Sequence, residues 1–178
     1  FIPIFVLNFN FNTMKKILAV ICLLAAVQIS NAQVFKGKGD TKFQVGANLQ
    51  EKGSGIIATY DRGIGTNMSF GFTSLYLLGI EEVAGEKPNF DDRFDLRARF
   101  SANIADVFGI EEKVDIYPGL NIGIKNFGAH FGVRYFITDG FGLYSEIQLP
   151  IAHYDNDPRG FEKYNNQFNL SIGASFNL

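Results

Sequence analysis

The sequence predicts an all-β protein, an eight-stranded antiparallel up-and-down β-barrel whose strands cross a membrane. Three observations predict it. Apolar and polar residues alternate with a period of two along most of the chain. Short turn-like connectors separate the alternating stretches, and Asp139-Gly140 is a strong hairpin signal. A segment with the order of a secretory signal precedes the first of them.

The elements follow from the N-terminus. Lys15-Lys16 after Met14, the apolar run from Ile17 to Val27, and the small residues Ser30 and Ala32 make 14–32 a signal peptide, with cleavage between Ala32 and Gln33. The run is too short to span a bilayer, which takes about 20 apolar residues. Cys22 follows Ile21, where a lipoprotein would want a small residue, so no lipid anchor is expected. Residues 1–13 read as an upstream extension that does not belong to the fold, and 33–178 as the barrel.

Strand alternation then begins. Phe43, Val45, Ala47 and Leu49 alternate with Lys42, Gln44, Gly46 and Asn48. Noisier strands occupy 56–61 and 67–78. Phe94, Leu96, Ala98 and Phe100 alternate with Arg93, Asp95, Arg97 and Arg99. A strand over 114–125 follows, then Phe127 to Tyr135 against Gly128, His130, Gly132 and Arg134, then 141–150. The last stretch, 167–178, alternates strictly, with Phe168, Leu170, Ile172, Ala174, Phe176 and Leu178 on one face. Only 105–113 suggests a helical turn. If the chain starts inside, the long polar connectors 79–92 and 152–165 both lie outside, the habit of outer-membrane barrels; 103–113 is a long inner exception.

Composition narrows the class. The chain is 47% hydrophobic, too apolar for disorder, and its net charge of −2 argues against a nucleic-acid partner. One cysteine excludes a disulfide scaffold or a cysteine-rich zinc site. Alternation alone fits either a membrane barrel or a soluble lipocalin-like carrier of an apolar ligand. The polar face decides for the membrane, because Arg93, Asp95, Arg97, Arg99, Asp115, Lys125, Arg134 and Glu146 are dense charge for one face and can pair inside a narrow barrel. Pro118, without a ladder donor, should mark a bulge or the inner end of its strand, and Pro150 should close its strand at the outer rim. Phe43, Tyr76, Phe94, Phe127 and Phe141 sit near strand ends, where aromatic girdles belong.

Ser171, Gly173, Phe176 and Leu178 resemble the C-terminal signal read by the outer-membrane barrel assembly machinery. The stretch from Gly132 to Glu146 resembles a hairpin of small outer-membrane barrels of Bacteroidota, eight-stranded and OmpA/OmpX-like. A Gln directly after the cleavage site is also common there. The resemblance spans the mature chain and implies a cell outer-membrane location, with membrane lipid and the assembly machinery as partners. It implies no activity.

Candidate chemistry is sparse. His130 and Glu146 resemble part of the site of lipid A deacylases, but Gly132 stands where the Ser would be, and His130 has inward parity. They read as members of a hydrogen-bonded plug. Tyr154-Asp155-Asn156-Asp157 resembles part of a calcium loop but lacks the Gly and the properly spaced Glu, so a solvated loop is the reading. Glu81-Glu82 and Asp91-Asp92 read the same way. Gly63-Ile64-Gly65 is a turn and not a phosphate cradle. No catalytic residue, cofactor or metal is expected. Asp95, Arg97, Arg99, Asp115, His130, Arg134 and Glu146 are expected to form an interior polar network, structural or gating. The expected role is structural or surface-interacting, through loops 79–92 and 152–165; a narrow gated pore and the soluble carrier are the alternatives.

Overall fold

The computed structural model describes residues 34–51, 53–80, 87–110, 113–154 and 161–178. The signal peptide, Cys22, Gln33, Glu81-Glu82 and Asp155-Asn156-Asp157 lie outside the described residues. Eight strands form: β1 (Thr41–Gln50), β2 (Gly53–Gly63), β3 (Met68–Ile80), β4 (Phe94–Ala102), β5 (Val114–Gly123), β6 (Asn126–Thr138), β7 (Phe141–His153) and β8 (Asn169–Asn177). Each pairs antiparallel with the next, and β1 pairs with β8, so the sheet closes on itself with no free edge. Among the described residues one short helix, α1 (Phe90–Arg93), and two 3-10 turns, Asp106–Phe108 and Phe161–Tyr164, sit in the connectors.

Period-two alternation sorts side chains onto two faces. The outer face carries Val45, Phe72, Leu96, Ile122, Phe131 and Leu143, all exposed. The inner face carries buried polar residues, among them Gln44, Thr73, Arg97, Asp115 and Ser171. This is the inverse of a soluble core, and the expected network of Asp95, Arg97, Arg99, Asp115, His130, Arg134 and Glu146 faces inward throughout.

The two ends of the barrel differ. The lower end holds the start of β1 and the close of β8. There Phe43, Phe176 and Phe141 stand side by side on neighbouring strands, with ring centres 6.4 Å and 5.6 Å apart. Flanking rings leave Phe176 only 8% exposed although it faces outward. At the upper end Tyr76, Phe90 and Phe94 form a second ring cluster, with Phe90 and Phe94 stacked.

Several boundaries differ from the sequence reading, each for a local reason. Arg93 ends α1 instead of facing inward from a strand, and its guanidinium donates to the carbonyls of Leu77, Leu78 and Pro88 at the rim. Lys125 lies in the turn between β5 and β6. Pro118 makes no bulge against β6; instead the β4–β5 ladder stops beside it, at Ser101 and Gly119. Pro150 does not close β7, which continues to His153 after a register shift where Gly128 pairs with Pro150 and Phe127 with Ala152. Neighbour β8 has already left at Gln148, so no ladder donor is missed there.

Both mouths are filled by the chain itself. At the upper mouth the inward residues Ile57, Leu75 and Leu77 form an apolar cup, and Phe161 and Tyr164 of the last loop are buried in it. Gln50 Nε2 donates to the Tyr164 carbonyl at 2.5 Å, and Asn126 Nδ2 to the Asn165 carbonyl at 2.6 Å. The described part of the 152–165 loop is therefore largely a lid and not a solvated projection. At the lower mouth Val34 and Phe35 are buried. Gly37 and Gly39, at φ 82° and 93°, turn the segment so that the Gly39 N–H reaches the Gly63 carbonyl at 2.8 Å. A Cβ at Gly63 would lie 1.9 Å from the Gly37 carbonyl oxygen. Gly63→Ala is therefore expected to unseat this segment and speed proteolytic trimming of residues 34–40 several-fold, read by mass spectrometry on the folded barrel. Trimming at the wild-type rate would show that the segment does not depend on that contact.

Candidate functional site

Among the described residues, charge is concentrated away from solvent in the lumen. An eight-stranded barrel is just wide enough for side chains to fill. Inward positions of β2, β4, β5, β6 and β7 supply the ions of the network, while Lys42 of β1 is paired separately with Asp40 near the lower mouth. Buried charges must be paired and hydrogen-bonded to be tolerated, and here they are arranged in two linked groups.

The first group centres on Arg134 of β6, which is fully buried. Its guanidinium donates to Asp115 Oδ2 at 2.8 Å on β5 and to Asp61 Oδ2 at 2.6 Å on β2. It also lies 3.7 Å from the centre of the Tyr117 ring, a stacked cation–π contact. Tyr117 Oη in turn accepts from Gln44 Nε2 of β1 at 3.1 Å.

The second group runs along β4. Arg99 grips Glu146 of β7 with two hydrogen bonds, 3.2 Å and 2.9 Å, the bidentate geometry that suits guanidinium and carboxylate. Its Nη1 also donates to Thr73 Oγ1 at 3.2 Å. Arg97 donates to Asp95 Oδ2 at 2.5 Å and to Gln148 Oε1, and Gln148 Nε2 donates to Glu146 Oε1 at 2.7 Å. Asp61 joins the groups: Arg99 Nε lies 3.3 Å from Asp61 Oδ1, an ion pair without hydrogen-bond alignment. The network is therefore continuous from Asp95 to Asp115.

His130 stands apart from the ions. Its Nε2 and Ser101 Oγ share a hydrogen bond of 2.9 Å. A Ser–His contact can activate a nucleophile when a third group orients the base. Here His130 Nδ1 has no hydrogen-bond partner among the described residues, and Ser101 and His130 are 0% and 4% exposed. The pair is a buried brace between strands.

The structure thus brings together six of the seven predicted network residues and ties the seventh, His130, to β4 through Ser101. Sequence reasoning missed Asp61, Tyr117, Gln148 and Ser101. Parity was available for all four: Asp61 follows Ile57 and Thr59, Tyr117 follows Asp115, Gln148 follows Glu146, and Ser101 follows Arg99. Of the C-terminal residues, Ser171 faces inward and donates to the Glu146 carbonyl at 3.3 Å. Gly173 is packed so tightly that a Cβ there would meet the Val45 carbonyl oxygen at 2.2 Å. Phe176 joins the lower aromatic cluster, and Leu178 is exposed, its N–H bonded to the Thr41 carbonyl at 3.0 Å.

No group of three or more His, Cys, Asp or Glu is placed to hold a metal ion among the described residues. No curated protein and no solved structure matches the chain. A family model does match, over residues 25–178, and its description is a family of unknown function, DUF6646. That span includes every described strand and the whole charged lumen, and the chain belongs to this family.

Proposed function

We propose that this chain is a small outer-membrane β-barrel of the OmpA/OmpX-like kind that its hairpin and C-terminal residues resemble in Bacteroidota, with a structural or surface-interaction role and no catalysis. The observation that carries the reading is the belt of exposed apolar side chains around a polar, ion-paired interior. Water would leave that belt unsatisfied, because exposed apolar patches on soluble monomers are far smaller than a full circumference. On β3 the belt runs from Phe70 to Leu78, about 20 Å at the usual rise and tilt of barrel strands. Outer-membrane barrels carry a belt of about 25 Å flanked by aromatic girdles. The two aromatic clusters support the same placement.

A carrier of apolar ligands would need an apolar cavity, and the lumen offers paired charge instead. A rigid platform for surface contacts is present at the upper rim, where α1 is clamped by Arg93 and presents Phe90, 65% exposed. The test is fractionation followed by gel mobility with and without boiling in detergent. The expected result is an outer-membrane protein whose band shifts on boiling. A periplasmic protein without a shift would overturn the reading.

The continuous polar column gives the gated-pore reading one specific support. Pairing within it and closure of both mouths make the expected conductance in planar bilayers rare and small, and replacing Glu146 with Gln should make openings more frequent. Conductance indistinguishable between wild type and variant would remove the pore reading.

A further inference from the structure

We propose that the lumenal network is a clasp for one seam of the barrel, between β4 and β5, and that the barrel opens there first when the clasp is broken. The backbone is weakest at this seam. The continuous ladder pairs only Arg97–Ser101 with Gly119–Gly123, extended by one bond from the Ile124 N–H to the Leu96 carbonyl, whereas β1 and β2 pair along the whole of Thr41–Gln50. The cause is local. Pro118, the next residue of β5, has no N–H to give. The ladder is interrupted there: the Asn103 N–H goes to the Asn67 carbonyl, and backbone contact with β5 returns only as the single bond from the Ile104 N–H to the Ile116 carbonyl.

Side chains replace the missing ladder. Arg97, Arg99 and Ser101 are the successive inward residues of the paired part of β4, and all three reach past β5. Arg97 bonds Gln148 and Arg99 bonds Glu146, both on β7, and Ser101 bonds His130 on β6. What lets them cross is glycine on β5. The two seam residues that face inward opposite Arg97 and Ser101 are Gly123 and Gly119. A Cβ at Gly123 would come within 2.8 Å of Arg97 Cγ, and one at Gly119 within 2.4 Å of the His130 ring. Two slots on β5 thus allow β4 to be held by the strands beyond it. The Arg134 contacts to Asp115 and Asp61 join β6 to β5 and β2, and reach β4 only through the poorly aligned pair of Asp61 with Arg99.

Hydrogen exchange on the full chain in detergent tests the clasp, whatever membrane the protein occupies. Glu146→Gln is expected to speed exchange in 97–101 and 119–123 by more than about tenfold, the scale of a lost charge-assisted hydrogen bond, while the β1–β8 ladder keeps its protection. Phe100 and Leu120 are cross-strand neighbours on the outer face of the seam. A disulfide from Phe100→Cys with Leu120→Cys should raise the thermal midpoint of otherwise unmodified protein. The same bridge from Val45→Cys with Ala58→Cys, across the long β1–β2 ladder, should raise it much less. The disulfide pair decides the matter even if Glu146→Gln does not fold. Equal acceleration of all ladders, or equal stabilisation by the two bridges, would overturn the proposal.

Discussion

Arg134→Ala is expected to destabilise the folded barrel by about 3–5 kcal/mol, the usual cost of breaking a buried ion pair by removing one partner. The loss is large because the guanidinium serves two carboxylates at once, Asp61 and Asp115, each 1% exposed. Removing it leaves Asp115 without its guanidinium and Asp61 with only the poorly aligned Arg99, 3.3 Å away. It also uncovers Tyr117, whose ring the guanidinium stacks on at 3.7 Å. Urea unfolding of protein refolded into vesicles would measure the loss. Adding Asp61→Asn and Asp115→Asn to Arg134→Ala should recover part of it, because neutral amides leave no charge stranded. If the triple variant is no more stable than Arg134→Ala, the cost lies in packing and not in charge.

Gly132→Ala should produce the next largest effect, and it isolates packing. Gly132 pairs with Tyr117 across β5 and β6, and the Tyr117 ring lies over it. A Cβ there would be 2.2 Å from Tyr117 Cζ, far inside contact distance. Alanine in a strand normally gains about 0.5–1 kcal/mol over glycine through the unfolded chain. Overpacking a filled core costs about 1–3 kcal/mol, so steric conflict wins. The ring would have to leave its place beneath Arg134, taking the bond from Gln44 with it. In a double-mutant cycle with Tyr117→Ala, the two changes should be strongly non-additive, with Gly132→Ala nearly neutral once the ring is gone. Additive losses would show that the ring and the glycine are not coupled.

How much of this was legible in the sequence depends on which force decided each feature. Strand number, strand order and face assignment follow from period-two alternation, which is local and strict in 42–49, 93–100 and 167–178. Inward charge on β4, β5, β6 and β7 follows from the same parity. Pair identities do not, because the lumen is crossed by side chains whose strands are far apart in sequence; Arg99 and Glu146 are 47 residues apart. Tyr117 stayed hidden for another reason. It was an aromatic on a face expected to be polar, and only the glycine opposite it at Gly132 explains how so large a ring fits. The lid was missed because Phe161 and Tyr164 lie in a loop rich in charge, and only the inward apolar cup of Ile57, Leu75 and Leu77 gives them somewhere to go. Pro118 was noticed, but its effect fell on β4 rather than on β6, since a proline withholds its donor from one neighbour only.

The distribution of charge around the sheet bears on the order of assembly. The β1–β8 ladder joins the ends of the barrel sequence and has the largest sequence separation of any pairing, so it closes last when neighbouring hairpins zip first. Its inward residues on β8 are Asn169, Ser171, Gly173, Ser175 and Asn177, all neutral. On β1 the single inward ion is Lys42, and it arrives with its counter-ion two residues away, bonded to Asp40 at 2.5 Å. The ions that need distant partners sit on β2, β4, β5, β6 and β7, and since β2 and β6 are four strands apart, Asp61 and Arg134 meet only as the sheet curls toward closure. The β1–β8 ladder itself therefore brings no new ion pair into register, so the charges that must be desolvated belong to the curling of the rest of the sheet and not to the last seam.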